Sequence, residues 1–146
     1  MRTKVITPAR FKFRAWDLNE KELIDADILV SEGYCLALNG TGIISTEWEP
    51  SGIKQLSTSS LILSQYIGVQ DSRGKEIYEG DIILRYWSDV EIDRGTVEWS
   101  ETELSWIYVK NDGSGYKITK TMSKKIQIVG NIYESLLQNP TINDLG

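Results

Sequence analysis

The sequence predicts a mainly β protein: a small SH3-like antiparallel barrel in the C-terminal half, packed with an N-terminal β lobe and ending in a short helix. Three observations carry this. About five short runs with period-two alternation, separated by turn residues, lie within the segment from Ile82 to Gly130. Aromatic residues make up 10% of the 146-residue chain, five Trp among them, and large rings with β-branched neighbours suit a pleated, half-buried surface. Between the halves lies a turn-rich hub, Gln65–Ile83, reading QYIGVQDSRGKEIYEGDII.

In the hub, Asp71-Ser72-Arg73-Gly74 combines an Asp that can bond its own backbone with a Gly free to take positive φ, so the chain reverses there. Gly80-Asp81 is a second bend, launching the buried strand that starts at Ile82. Upstream, Phe11 and Phe13 alternate with Lys12 and Arg14 as in a half-buried strand. Asp17–Val30 is ambiguous. Leu18, Leu23, Ile24, Ile28 and Leu29 fit a helical spacing, but Asp17-Leu18-Asn19 also reads as a turn between strands, and the balance leans to strands. Gly33–Ser45 has the form of a hairpin around Asn39-Gly40-Thr41-Gly42, Pro50-Ser51-Gly52 breaks the chain, and Leu61–Ile67 leads into the hub.

Downstream, Ile82–Trp87, Gly95–Trp99, Trp106–Val109, Tyr116–Thr119 and Ile126–Gly130 read as the barrel strands. Alternation places Val97 and Trp99 together on the inner face, with Trp99 buried. Asn131 with Glu134 three residues on is the signature of a helix N-terminus, and Pro140 would stop that helix. The resulting domains are an N-terminal β lobe over 1–68, a barrel with terminal helix over 69–138, and a tail over 139–146, with one compact unit as the alternative.

Composition narrows function mainly by exclusion. The chain has no His, which removes Ser-His-Asp and Cys-His machinery and the HExxH zinc site. Cys35 is the only cysteine, so an intramolecular disulfide is impossible and a buried, inert thiol is expected. No apolar run approaches the roughly 20 residues of a bilayer span, and no apolar signal core follows the basic N-terminus, so a soluble, unexported protein is expected. The Asn39-Gly40-Thr41 sequon then reads as a turn. The net charge is −5, and its distribution is segregated. Met1–Arg14 holds five bases and no acid, Asp17–Glu32 holds six acids against Lys21, and Glu76–Glu103 holds nine acids against Arg85 and Arg94.

Three constellations could carry chemistry. Asp89, Glu91 and Asp93 stand at alternate positions and could offer hard oxygen ligands to Ca²⁺ or Mg²⁺, but Arg94 stands where an EF-hand loop needs Gly. A solvated acidic rim explains them better. Lys110, Lys117, Lys120, Lys124 and Lys125, with Tyr108 and Tyr116 nearby, are the best nucleic-acid candidates, because such binding pairs cations with stacking aromatics. A solvated edge face is the simpler account, since Lys on an edge also blocks strand pairing. Tyr78-Glu79-Gly80-Asp81 could hold a water or a substrate hydroxyl, but an Asx-type role for Asp81 and core burial of Tyr78 suffice.

Taken together, Lys12-Phe13-Arg14-Ala15-Trp16-Asp17, Gln65-Tyr66-x-Gly68, Gly74-Lys75-Glu76-Ile77-Tyr78-Glu79-Gly80-Asp81-Ile82, Gly95-x-Val97-x-Trp99 and Ile128-x-Gly130-Asn131-Ile132-Tyr133-Glu134 form an ordered set over nearly the whole chain. In this the sequence resembles the YopX family of phage and prophage proteins. The resemblance implies a small, mainly β protein of tailed phages or prophages, acting in the cytoplasm of the bacterial host. It implies no reaction and no catalytic residues. The expected function is therefore that of a phage accessory protein of unknown activity: a non-enzymatic interaction module without cofactor, binding a host or phage protein. Nucleic-acid binding through the Lys110–Lys125 face is the alternative, and a metal-assisted enzyme using Asp89, Glu91 and Asp93 ranks third.

Overall fold

Asp17 sets the first reversal of the chain. Its Oδ1 accepts from the backbone N–H groups of Asn19 at 2.9 Å and Glu20 at 3.1 Å, which closes a turn between β1 (Phe13–Asp17) and β2 (Glu22–Ile24), paired antiparallel. A computed structural model describes residues 12–36, 43–49, 52–57 and 60–134. They fall into two units, Lys12–Gln65 and residues 66–134.

In the first unit, the turn expected at Asp17-Leu18-Asn19 is present, but the next segment departs from the strand reading. Ala26–Ser31 is a helix, α1. Asp25, extended at φ −77° and ψ 169°, accepts from Ile28 N–H at 3.0 Å and caps it. At six residues the helix is too short for apolar periodicity to reveal it, and only Leu29 is buried. There follow β3 (Tyr34–Leu36), β4 (Ile43–Glu49) and β5 (Gly52–Ser57), an antiparallel meander with Cys35 opposite Ile44 and Trp48 opposite Ile53. β6 (Leu61–Gln70) begins here and pairs with β1 from Leu61 to Gln65. Ala15, Ile24 and Leu29 form the core, with Tyr34 and Leu61 packed against it. The basic stretch 1–11, the turn expected at 39–42, the break expected at Pro50-Ser51, the Cys35 side chain, and residues 135–146 with Pro140 lie outside the described residues.

The second unit begins within β6, whose Tyr66 and Gln70 pair with Tyr78 and Glu76 of β7 (Glu76–Tyr78). β8 (Asp81–Trp87), β9 (Val90–Ser100), β10 (Ser105–Val109), β11 (Gly115–Lys117) and β12 (Ile126–Asn131) form an antiparallel sheet in the order β11-β10-β9-β8-β12, and α2 (Lys120–Ser123) precedes β12. The sheet curls into half a barrel. Its inner residues Ile83, Val97, Tyr108, Ile126 and Ile128 are almost wholly buried together with Ile77 of β7, and Ile67, Val69, Ile118 and Met122 pack against them. The mainly β, antiparallel architecture expected from the alternating runs is what forms.

Two bends bind this core. At the first, the buried carboxylate of Asp71 accepts from Arg73 and Lys75 N–H through Oδ1, each at 2.9 Å, and from Ile128 N–H through Oδ2 at 3.1 Å. Arg73 Nη2 donates to Ile128 O at 2.8 Å, and Ser72 N–H to Ile126 O at 2.8 Å. The turn is thus fastened to β12. At the second, Gly80 has φ +87°, and a Cβ there would lie 3.0 Å from the Tyr133 ring. Its N–H donates to Val97 O at 2.8 Å and its carbonyl accepts from Ile132 N–H at 2.9 Å, while Asp81 Oδ2 accepts from Tyr78 N–H at 2.8 Å. Asn131 Oδ1 accepts from Glu134 N–H at 2.9 Å, the cap that the Asn-x-x-Glu spacing implies.

Trp99 departs from expectation. It shares the face of Val97, but it is 40% exposed whereas Val97 is 1% exposed. β8 starts at Asp81 and Ile82 is opposite Thr96, so no β8 residue reaches the row of Trp99 and the core does not extend over it. Its ring instead meets Trp106 edge-on, with centroids 5.3 Å apart.

Gly80→Val should destabilise the fold by about 1–3 kcal/mol, because a β-branched residue is strained at positive φ and its side chain would meet Tyr133; chemical denaturation measures it. Asp71→Ala should cost about 3 kcal/mol in the same assay, since it leaves the buried Ile128 N–H and two turn N–H groups without their charged acceptor.

Candidate functional site

The β8–β9 connection is a two-residue turn, Ser88 and Asp89, both at positive φ (47° and 64°), the mirror-image geometry that matches strand twist. It sets Trp87 opposite Val90. Both are solvent-facing, at 59% and 63% exposed, and Ile92 is nearby in sequence at 48%. The ammonium of Lys125 sits 3.9 Å from the Trp87 ring centroid, a close cation–π contact.

Lys125 follows α2, a short helix whose N-cap Thr119 accepts from Met122 N–H at 3.0 Å. Buried Ser123 donates to Lys120 O at 2.7 Å within the same turn. Two clefts flank it. One of about 430 Å³ is lined by Tyr86, Ser88, Asp89, Lys124, Lys125 and Gln127, with Ser72. The other, about 290 Å³, is lined by Tyr66, Gln70, Asp71, Lys120, Ser123 and Lys124 among others. Lys124 belongs to both. Among the described residues, Lys120, Lys124 and Lys125 form no salt bridge.

The other sequence candidates are differently placed. Lys110 Nζ lies 3.1 Å from Asp93 Oδ1, and Lys117 Nζ 3.6 Å from Glu103. Tyr108 is fully buried and stacked on Tyr116 at 5.5 Å; its hydroxyl donates to Asp93 at 3.0 Å and accepts from Arg85 at 3.2 Å. The cationic and aromatic halves of the expected nucleic-acid face are therefore mostly engaged with one another and with acids, leaving Lys120, Lys124 and Lys125. Asp89, Glu91 and Asp93 are not brought together. A bulge leaves Arg85 opposite Asp93 but Tyr86 opposite Glu91, so the two carboxylates leave opposite faces. Asp89 is in the turn, and Glu91 lies 3.7 Å from Arg94. No group of three such ligands exists among the described residues. Tyr78 is half-buried, its ring tilted against Tyr66 with centroids 5.6 Å apart, and Asp81 is held in the bend.

The sequence model of the family described as YopX protein matches residues 12–138. The chain belongs to the YopX family. No curated protein matches it. Among solved structures, this YopX-family chain is similar to protein yopX from Bacillus subtilis, with TM-score 0.52 and 19% identity, covering 90% of this chain and 96% of that one. Protein EF1440 from Enterococcus faecalis gives TM-score 0.49 and 18% identity over the same shares. At these identities the likeness to yopX is one of fold. No helix among the described residues is long and apolar enough to cross a membrane.

Sequence reasoning passed over Trp87 and the α2 clefts. The signal was present in Tyr86-Trp87-Ser88-Asp89-Val90, a polar pair between apolar residues at hairpin spacing. The meeting of that tip with Lys125, remote in sequence, had no signal.

The Asp93 cluster has a pH signature. Lys110 first, then the Tyr108 hydroxyl and Arg85, hold the Asp93 carboxyl below its ordinary 3.8 despite the opposing effect of burial. A lowered folded-state pKa stabilises above the unfolded value, and the contribution is lost as pH falls through the folded one. Denaturation midpoints of the wild type should therefore fall in acid below about pH 3.8 more steeply than those of Asp93→Asn.

Proposed function

We propose that this YopX-family chain is a phage or prophage accessory protein, acting in the bacterial host cytoplasm as a non-enzymatic module that binds a host or phage protein. The observation carrying this is the β8–β9 tip, where Trp87 and Val90, paired across the turn, stand exposed beside Lys125 and an open cleft. A Trp with apolar neighbours and a polar rim is the composition of an interface hot spot. The carboxylates support the same reading. Asp93 is engaged by Lys110, Arg85 and Tyr108, and Asp71 and Asp81 accept backbone N–H groups, so each has a structural task. The resemblance to phage and prophage proteins supports the setting, and Lys120, Lys124 and Lys125, without a salt bridge among the described residues, keep nucleic acid as the competing partner.

A photo-crosslinking residue placed at Val90 in bacteria carrying the phage or prophage tests this. It should give a discrete protein adduct that Trp87→Ala abolishes and that the same residue placed at exposed Leu104 does not give. Adducts to nucleic acid alone, or protein adducts indifferent to Trp87, would refute the reading.

A further inference from the structure

Around α2 three cationic side chains of the second unit stand close together in sequence, Lys120, Lys124 and Lys125. Lys110 and Lys117 face Asp93 and Glu103, whereas Lys120, Lys124 and Lys125 are exposed and make no salt bridge among the described residues. Two carboxylates line the adjoining clefts. Asp71 is buried with both oxygens accepting backbone N–H bonds, and it makes no salt bridge with the lysines. Asp89 is exposed at the lip by the Trp87 turn. Three ammonium groups without a salt bridge, that of Lys125 against the Trp87 ring, thus border two clefts of about 430 and 290 Å³, near the lower end of ligand-pocket sizes and of side-chain scale.

We propose that this rim binds a short acidic peptide segment of the partner protein, its carboxylates on Lys120, Lys124 and Lys125 and an apolar side chain against Trp87. The proposal rests on the tip being a protein-docking surface and adds the chemistry of what docks. Charge favours a short segment. The chain carries a net −5, so a long polyanion is repelled over most of its length, while a few carboxylates within about 8 Å of these lysines are attracted despite salt screening. Aromatic availability also disfavours a nucleic-acid strand. One face of Trp87 is taken by Lys125, and Tyr108 is buried under one face of Tyr116, which reduces the stacking surface that single strands use. Trp87 can still give edge and rim contact to an apolar side chain, with Val90 beside it.

The test uses the full chain and a short fluorescein-labelled peptide of Asp and Glu residues flanking one Leu, titrated by anisotropy. Saturable binding is expected, weakening with added salt and on the order of tenfold with Lys124→Glu. The indole N–H signal of Trp87, assigned through Trp87→Phe, should shift on binding. Lys124 is exposed, so its variant should keep the wild-type melting temperature, and Lys120→Gln serves as a second, milder charge removal. Equal binding by the Asn/Gln version of the peptide, tighter binding by oligothymidylate, no effect of either Lys variant, or no binding of the acidic peptide would each overturn the proposal. If the peptide fails while the Val90 crosslink still captures a protein through Trp87, the acidic chemistry is wrong and the docking surface stands.

Discussion

One buried carboxylate holds the second unit together. Asp71 is 5% exposed, and its oxygens accept N–H bonds from both ends of its own turn and from Ile128 across the sheet. The desolvation of a charge is compensated there by fixed backbone dipoles. The chain leaving β6 is thereby fastened to β12, and Arg73 and Ser72 reinforce the attachment with bonds to the carbonyls of Ile128 and Ile126. Since α2 and Lys125 immediately precede β12, the position of the lysine rim depends on that fastening. So does the second cleft, of which Asp71 is itself a wall.

A second constraint organises the sheet's charged edge. Gly95 lies under the Tyr108 ring, where a Cβ would fall 2.8 Å from Tyr108 Cδ2 and from Val109 O. The missing side chain lets Tyr108 settle against the strand and carry its hydroxyl to Asp93 and Arg85. Burial raises the Tyr108 pKa, keeping the phenol neutral and able to donate to the carboxylate. Lys110 completes the group, its own pKa raised by Asp93. Charges that look like a binding face in the sequence are here in part a structural clasp, and of the five lysines of that face Lys120, Lys124 and Lys125 remain without a salt bridge among the described residues.

Much of this fold was legible because its signals are local. Alternation at Gly95–Trp99 marks a strand because side chains leave a strand on alternate faces, whereas the run expected over Tyr116–Thr119 is a strand only to Lys117, since Thr119 caps α2. Asp71 and Asp81 announced turns, Gly80 a positive φ and Asn131 a cap, since each acts on backbone groups within a few residues. Over Asp17–Val30, where helix and strand both fitted, the lean to strands holds for Glu22–Ile24 but not for the helix Ala26–Ser31, whose six residues hold less than two turns, too few for a 3.6-residue period to stand out against a two-residue one.

The sequence by itself determined the β class, the bends, the absence of histidine chemistry and the family, all of which reside in residue identity or short-range spacing. Tertiary structure alone decided which charges are free. Asp93 and Lys110 are separated by a whole hairpin, and only the register of β8, β9 and β10 brings them and Arg85 to one place. A single bulged residue in β9 sends Glu91 and Asp93 to opposite faces, undoing a three-carboxylate pattern that strict alternation would have gathered. The burial of Trp99 also turned on strand lengths, because alternation assigns a face but cannot say whether another strand extends far enough to cover it.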